Sequence, residues 1–162
     1  MSHDHKHKHP TPSPRTPEEL ENATTALVER CREAGLRKTF LLTRVLRFML
    51  EQQAPVNVQA ILNAPEVDQT CDVATAYRLL GRLEERGLIR RIGLHERSAH
   101  FILNLPGVHR DFLVCTACGK VDVVDLPCPV ESMEDQVARS SGYGSVYHEL
   151  QFFGKCPDCS DE

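Results

Sequence analysis

Two Cys-x-x-Cys pairs near the C-terminus carry the clearest chemistry in this chain. The first pair is Cys115 and Cys118, and the second is Cys156 and Cys159. Four thiolates satisfy a tetrahedral zinc ion, and two such pairs are a common way to supply them. Disulfides are the alternative, but the sequence shows no signal peptide and no membrane-spanning apolar run, so we expect a cytoplasmic protein. The pairs therefore predict a structural zinc site.

A second group of metal-binding residue types lies just before the first pair and between the two pairs. In a predicted strand over residues 109–115, side chains alternate between two faces, which places His109 and Asp111 together. A predicted strand over residues 145–153 points His148 inward, and Glu131 opens a predicted helix over residues 130–141. Two histidines and two carboxylates suit Zn²⁺, Fe²⁺ or Mn²⁺. Periodicity alone cannot bring the four together, and each one alone also fits a core histidine or an exposed acid.

The charge distribution divides the chain into two unlike halves. The 162 residues suffice for one large or two small domains, and the formal net charge is −4. Residues 27–97 carry 12 basic against 9 acidic side chains, whereas residues 98–162 carry 4 against 10. A mildly basic first half joined to an acidic second half suggests two separate tasks.

The first half has the element order of a winged helix-turn-helix. Its periodicity predicts helices over residues 17–34, 40–52, 56–63 and 73–86, then strands over residues 88–92 and 99–103. In that arrangement the fourth helix lies in the major groove of DNA and the hairpin touches the backbone. Thr75, Arg78 and Arg82 share one face of that helix. A small helical domain with merely solvated arginines is the alternative.

The remaining segments predict a small α+β unit after the hairpin and a tail before the first helix. Strands over residues 109–115, 120–125 and 145–153 flank the helix over residues 130–141, with the cysteine pairs at the two ends of the unit. We therefore predict domains over residues 18–104 and 105–162. The tail, residues 1–17, has four prolines and alternating histidines, which is typical of a flexible segment that holds Zn²⁺ or Ni²⁺ weakly, or of a cloning remnant.

Taken together, these motifs resemble the ferric uptake regulator family of metal-dependent bacterial repressors. The resemblance extends from about Gly35 to Cys159. It rests on four motifs, which are Gly35-Leu36-Arg37-Lys38-Thr39, Ala74-Thr75-Ala76-Tyr77-Arg78-Leu79-Leu80, the run from His109 to Val121, and His148 eight residues before Cys156. It implies an α+β protein with a winged-helix DNA-binding domain, a hinge, and an α/β dimerisation domain with a Cys₄ zinc. It also implies a homodimer that regulatory metal closes onto a palindromic double-stranded operator.

The resemblance also assigns roles to individual residues. Tyr77 and Arg78 match contacts of the recognition helix, and Arg37 or Lys38 matches a contact with the DNA backbone or minor groove. Thr75 and Arg82 join this set because they lie on the face of Arg78. The metal site of the dimerisation domain corresponds to His109, Asp111, Glu131 and His148, although reaching Glu131 needs a one-residue insertion near Cys128.

The sequence departs from the family pattern at several positions. Arg110 and Phe112 stand where the family's His-His-Asp-His run has its second and fourth ligands. The usual histidine after the second long helix is absent, because residues 54–56 read Ala-Pro-Val. His100 occupies the place of a hinge ligand and has Cys71 or His95 as candidate partners, or it is an exposed strand histidine. Leu42 replaces an arginine that contacts the DNA backbone.

We therefore expect a homodimeric, metal-responsive DNA-binding repressor of metal-homeostasis genes. Zinc is favoured as the sensed ion, given the histidine-rich tail, whereas an iron-, manganese- or peroxide-responsive repressor is the alternative. A zinc-ribbon interaction or metal-handling protein without operator binding is a second alternative. An enzyme is disfavoured, because catalytic zinc keeps an open coordination position and two cysteine pairs close the shell.

Overall fold

A computed structural model describes residues 16–67, 71–93 and 99–160. These residues form two compact units, and the division falls between Leu105 and Pro106. The histidine-rich segment of the predicted tail lies outside the described residues. Within the described ranges, every helix is too short or too polar to cross a membrane.

The first unit combines four helices with a small sheet in its described ranges. Its elements are α1 Pro17–Glu33, α2 Phe40–Gln52, β1 Val56–Asn57, α3 Val58–Leu62, α4 Val73–Glu85, β2 Ile89–Ile92 and β3 His100–Leu103. The antiparallel sheet has the order β1-β3-β2. The predicted helix over residues 56–63 was wrong at its start. Asn57 is the N-cap of α3, so the helix begins at Val58 and the two preceding residues pair with β3 instead.

Side-chain caps define where the long helices of this unit begin. Thr16 and Glu19 form a reciprocal capping box at the start of α1. The side chain of Thr39 caps α2. At α4, the backbone N–H of Thr75 donates a hydrogen bond to Asp72 Oδ1 at 2.6 Å. Each cap satisfies an N–H group that the helix itself cannot, so these polar residues fix the first turn of each helix.

The core of the first unit is built from one apolar face of each long helix. On α4, the buried residues are Ala76, Leu80 and Leu83. Leu42 on α2 is only 1% exposed and belongs to the same core. Leucine at this position therefore contributes to the apolar core of the unit.

In its described residues, the second unit is a three-stranded sheet with two helices. Its elements are β4 Asp111–Cys115, β5 Val121–Val124, α5 Glu131–Ser141, β6 Gln151–Gly154 and α6 Pro157–Ser160. β4 lies in the centre, antiparallel to β5 and parallel to β6. The predicted strand over residues 145–153 was wrong for residues 145–150. β6 begins at Gln151, opposite Phe112; the carbonyl of Leu150 still accepts a hydrogen bond from the Phe112 N–H, whereas residues 145–149 lie beyond the start of β4.

Candidate metal centres and nucleic-acid interface

The parallel pairing of β4 with β6 brings the two cysteine pairs to one edge of the sheet. Cys115 ends β4 opposite Gly154, the last residue of β6. Cys118 lies in the turn after β4, and Cys159 lies on α6. Because parallel strands end at the same edge, both Cys-x-x-Cys pairs meet there. The structure places all four sulfur atoms within 4.8 Å of one another.

The spacing of the four sulfur atoms fits zinc. A tetrahedron with Zn–S bonds of about 2.3 Å has edges of about 3.8 Å. Cys118 Sγ and Cys156 Sγ lie 3.8 Å apart. A disulfide would need a separation of about 2.05 Å, and all seven cysteines, which lie among the described residues, have reduced thiols in the structure. The alternative of disulfides therefore has no support in the structure.

Backbone groups already stabilise negative charge at the centre of this cluster. The N–H groups of Cys118 and Cys156 point at Cys115 Sγ, at 3.5 and 3.3 Å. These hydrogen bonds lower the pKa of the Cys115 thiol to about 5. By contrast, the hydrogen bond with the Cys156 side chain raises the pKa of Cys159 to about 12. Four thiolates this close repel one another, so the cluster needs a cation to hold all four deprotonated.

A second cluster of donors lies in the same unit. It contains His109, Asp111, Cys128 and His148, whose donor atoms also lie within 4.8 Å of one another. His109 Nε2 is 2.8 Å from Asp111 Oδ1, and His148 Nε2 is 3.0 Å from Cys128 Sγ. The two imidazole rings stand 4.3 Å apart between centroids. Asp111 is 1% exposed, which makes it the most buried acid among the described residues.

Sequence reasoning found three members of this cluster and missed the fourth. His109, Asp111 and His148 come together as predicted, although His148 arrives from the segment before β6 and not from the strand itself. Glu131 is the first residue of α5, and its side chain lies outside the described part of the structure. Cys128 supplies the fourth donor. Cys128 lies three residues before Glu131. The resemblance required a one-residue insertion near Cys128, and this departure from the family pattern was the signal in the sequence that could have pointed to it.

The predicted hinge site is not assembled by the described residues. His100 opens β3 opposite Ile92 and Asn57. Cys71 packs against the helical core, with its Sγ 3.7 Å from the carbonyl of Asp72. His95 lies outside the described residues. Among the residues that the structure describes, no group of three or more metal donors contains His100 or Cys71.

The exposed face of α4 carries the residues predicted to contact DNA. Tyr77 is 46% exposed, Arg78 and Arg82 are exposed, and Thr75 is half-buried. Arg78 donates a hydrogen bond to Thr75 Oγ1 at 2.9 Å, which holds both side chains on this face. The buried residues Ala76, Leu80 and Leu83 point the opposite way. The helix thus presents polar and cationic groups to solvent, while its opposite face is packed in the core.

Ion pairing distinguishes the cationic residues predicted to contact DNA from other arginines of the first unit. Arg32, Arg47 and Arg91 each pair with a glutamate of the same unit, at 2.8–3.0 Å. In contrast, the cationic groups predicted to contact DNA form no salt bridge with any described residue, namely Arg37, Lys38, Arg78 and Arg82. Arg37 and Lys38 are exposed immediately before the cap of α2. Their charges are available for phosphate.

Comparison with known proteins places this architecture in one family. The sequence profile of the Ferric uptake regulator family matches residues 33–153. The ferric uptake regulation protein of Neisseria meningitidis serogroup A is 37% identical over 87 residues, which are 54% of this chain and 59% of that protein. The chain thus spans about three fifths of the length of that relative. The ferric uptake regulation protein of Legionella pneumophila is 31% identical over 135 residues, covering 81% of this chain and 96% of that protein.

A solved structure shows the same fold. The ferric uptake regulator Fur of Helicobacter pylori, described as having three functional metal-binding sites, superposes with a TM-score of 0.68. The superposition covers 94% of this chain and 99% of that one, at 18% sequence identity. Proteins of this family are metal-dependent transcription regulators and not enzymes. The profile match over most of the chain, together with the Legionella relative, shows that this chain belongs to the ferric uptake regulator family.

Proposed function

We propose that this chain is a metal-responsive transcriptional repressor of metal-homeostasis genes that binds double-stranded DNA as a homodimer. The observation that carries the proposal is the second donor cluster, because it offers a metal site separate from the closed Cys₄ cluster. A closed four-thiolate site serves structure, whereas a mixed-donor site binds metal more reversibly and can report its concentration. Family membership supports DNA binding, as does the cationic face of α4, whose arginines form no salt bridge with a described residue.

The DNA-binding part of the proposal assigns α4 to the major groove. Arg78 and Arg82 have the charge to contact base edges or phosphates, and Tyr77 is exposed beside them. Arg37 and Lys38 precede α2 and would contact the DNA backbone or minor groove. In winged and related helix-turn-helix proteins, a dimer reads two half-sites related by two-fold symmetry. The expected operator is therefore palindromic.

The homodimer is supported by apolar side chains that the second unit leaves exposed. On one face of the sheet, Leu113 and Phe152 are paired neighbours with exposures of 44% and 43%. On α5, Met133 and Val137 lie one turn apart and are 52% and 46% exposed. The described side chains of α5 are all exposed or half-buried. Apolar patches of this kind are typical of surfaces that associate, and a second copy would cover them.

We assign zinc to the Cys₄ cluster, where it would hold the end of β4 to α6. At the second cluster we assign the regulatory divalent metal, with His109, Asp111, Cys128 and His148 as its ligands. A bound ion there supplies a cross-link between β4, the segment before α5 and the segment before β6. By connecting these elements it would favour one geometry of the dimer, and that geometry sets the spacing of the two DNA-binding units.

Zinc is the regulatory metal that this donor set favours. Two imidazoles, one carboxylate and one thiolate make a four-donor set suited to a tetrahedral ion. Thiolates select softer ions such as Zn²⁺, whereas Mn²⁺ prefers oxygen donors in octahedral sites and Fe²⁺ also accepts imidazole and carboxylate. Cys128 therefore moves the preference toward zinc. Iron and manganese are the alternatives that a titration separates.

The test is a metal titration of DNA binding. Protein supplied with Zn²⁺, Fe²⁺ or Mn²⁺ would be used to enrich a duplex from a random pool, and protein that keeps one zinc per chain but is stripped at the second site would be used for the titration. Binding of the labelled duplex would then be followed at fixed salt while Zn²⁺, Fe²⁺ or Mn²⁺ is added, with a scrambled duplex as the control. We expect Zn²⁺ to promote DNA binding at a lower free concentration than Fe²⁺ or Mn²⁺. A stronger response to iron or manganese would reassign the metal, and failure to enrich any duplex would favour a metal-handling protein.

A further inference from the structure

Glu134 makes a short polar contact to the proposed regulatory site from outside its donor set. This residue is the fourth of α5. Its Oε1 lies 2.6 Å from His148 Nδ1 and also accepts a hydrogen bond from the backbone N–H of His148 at 2.9 Å. Both side chains are mostly buried, with exposures of 16% for Glu134 and 20% for His148. One carboxylate oxygen therefore holds both the ring and the backbone of a proposed metal ligand.

The contact at Nδ1 determines which ring nitrogen of His148 can bind a metal. A carboxylate only accepts hydrogen bonds, so the short contact requires a proton on Nδ1. In the neutral ring, Nε2 then has the free lone pair. Nε2 is the atom that faces Cys128 Sγ at 3.0 Å, within the donor cluster. The acid thus selects the tautomer that presents a ligand to the site.

The contact at the backbone positions a segment that has no regular secondary structure. His148 lies between α5 and β6, in residues 146–150, which have no regular secondary structure. Glu134 is 14 residues away in sequence and belongs to a helix. The His148 N–H donates a hydrogen bond to Glu134 on that helix, and this bond anchors the segment at His148. The His109 ring packs against the His148 ring at a tilt of 49° and also restrains its orientation.

We propose that Glu134 is a positioning residue of the regulatory metal site, holding His148 with Nε2 directed at the metal beside Cys128 Sγ. The inference rests on the proposed function of that site. Residues that orient metal-binding histidines in this way commonly contribute about 10–100-fold to metal affinity. Nothing in the sequence marks Glu134, because the adjacent Asp135 and the nearby Glu131 carry the same type of group.

The experiment uses full-length protein whose Cys₄ cluster holds zinc, titrated with Co²⁺ as the probe. Cobalt bound to a thiolate gives a near-ultraviolet charge-transfer absorption band, so occupancy at Cys128 is read without DNA. Glu134→Ala, Glu134→Gln and the control Asp135→Asn, which removes an exposed charge from the neighbouring position of α5, are compared with wild type. In parallel, nitrogen NMR of His148 in the protein without cobalt reports which ring nitrogen carries the proton.

We expect Glu134→Ala to weaken cobalt binding by about 10–100-fold while retaining its Cys₄ zinc, and to lose the single Nδ1–H tautomer. Glu134→Gln, which keeps an oxygen acceptor at the same reach, should recover most of the affinity. Asp135→Asn should match wild type. Wild-type affinity in Glu134→Ala would overturn the proposal. So would an Nε2–H tautomer in the wild-type protein, a result that needs no variant to fold.

The test of Glu134 can fail or succeed independently of the test of the proposed regulatory function. If wild type binds cobalt at Cys128 but DNA binding ignores the metal, the regulatory role fails and the role of Glu134 stands. If DNA binding responds to metal while Glu134→Ala binds cobalt normally, the regulatory role stands and Glu134 has no positioning role. Absence of the charge-transfer band in wild type would overturn the inference along with the metal site.

Discussion

Replacement of Arg78 by alanine is the most direct test of the proposed DNA-binding face. Arg78 is exposed on α4 and donates a hydrogen bond to Thr75 on the same helix. The helix is anchored by Ala76, Leu80 and Leu83 on the opposite side. The substitution therefore removes a cationic group without opening a cavity. A surface change of this kind alters the free energy of unfolding by no more than about 0.5 kcal/mol.

The expected loss of DNA affinity is much larger than the loss of stability. One contact to a base or phosphate contributes about 1–3 kcal/mol, and a symmetric dimer loses that contact in both half-sites. The total is about 2–6 kcal/mol, which corresponds to a weakening of roughly 30-fold to 10⁴-fold. If Arg78 contacts phosphate, the slope of log K against log salt concentration falls by about 1 for each lost contact. A contact to a base edge leaves that slope nearly unchanged.

The assay is fluorescence anisotropy with the enriched duplex, at saturating zinc and at several salt concentrations. Arg32→Ala is the matched control, since Arg32 is also an exposed arginine of the first unit but is paired with Glu29 at 2.9 Å. Circular dichroism and thermal melting confirm that each variant is folded. Binding of Arg78→Ala within about threefold of wild type, which is less than 1 kcal/mol, would refute the assignment. An equal loss in Arg32→Ala would indicate general electrostatic attraction in place of a specific contact.

Three further variants test the metal sites. Cys115→Ser should lose both the bound zinc and the dimer, measured by metal analysis and sedimentation, and a variant that keeps both contradicts the structural role of the Cys₄ cluster. Joint replacement of His109 and Asp111 by alanine should preserve that zinc but make DNA binding insensitive to added metal; a full response would move the search to His100. Cys128→Asp, which exchanges sulfur for oxygen, should lower zinc affinity by at least about tenfold and narrow the preference for zinc over manganese in competition titrations. An unchanged preference would show that the thiolate does not determine selectivity.

Local sequence information predicted most elements of the fold, because each depends on neighbours along the chain. Asp72 caps a helix whose apolar residues recur at a period of 3.6, so α4 follows from a short window of sequence. The same is true of α1 and α2, which start at Pro17 and Phe40 as predicted. The error at residues 145–150 has the opposite origin. Their alternating pattern suits a strand, but a strand also needs a partner, and the residues before Leu150 lie beyond the start of β4.

The two metal clusters show the same division. The Cys₄ cluster could be predicted, since the two cysteines of each Cys-x-x-Cys pair are close in sequence. Two such pairs together supply the four thiolates of a zinc site. The second cluster draws on β4, on the segment before α5 and on the segment before β6, so the register of the sheet decides which side chains converge. That register brought in Cys128 and placed Glu134 behind His148. Sequence alone determined the donor chemistry that this unit can offer, whereas only the tertiary structure decided which donors share a site, because their proximity arises from packing between segments distant in the chain.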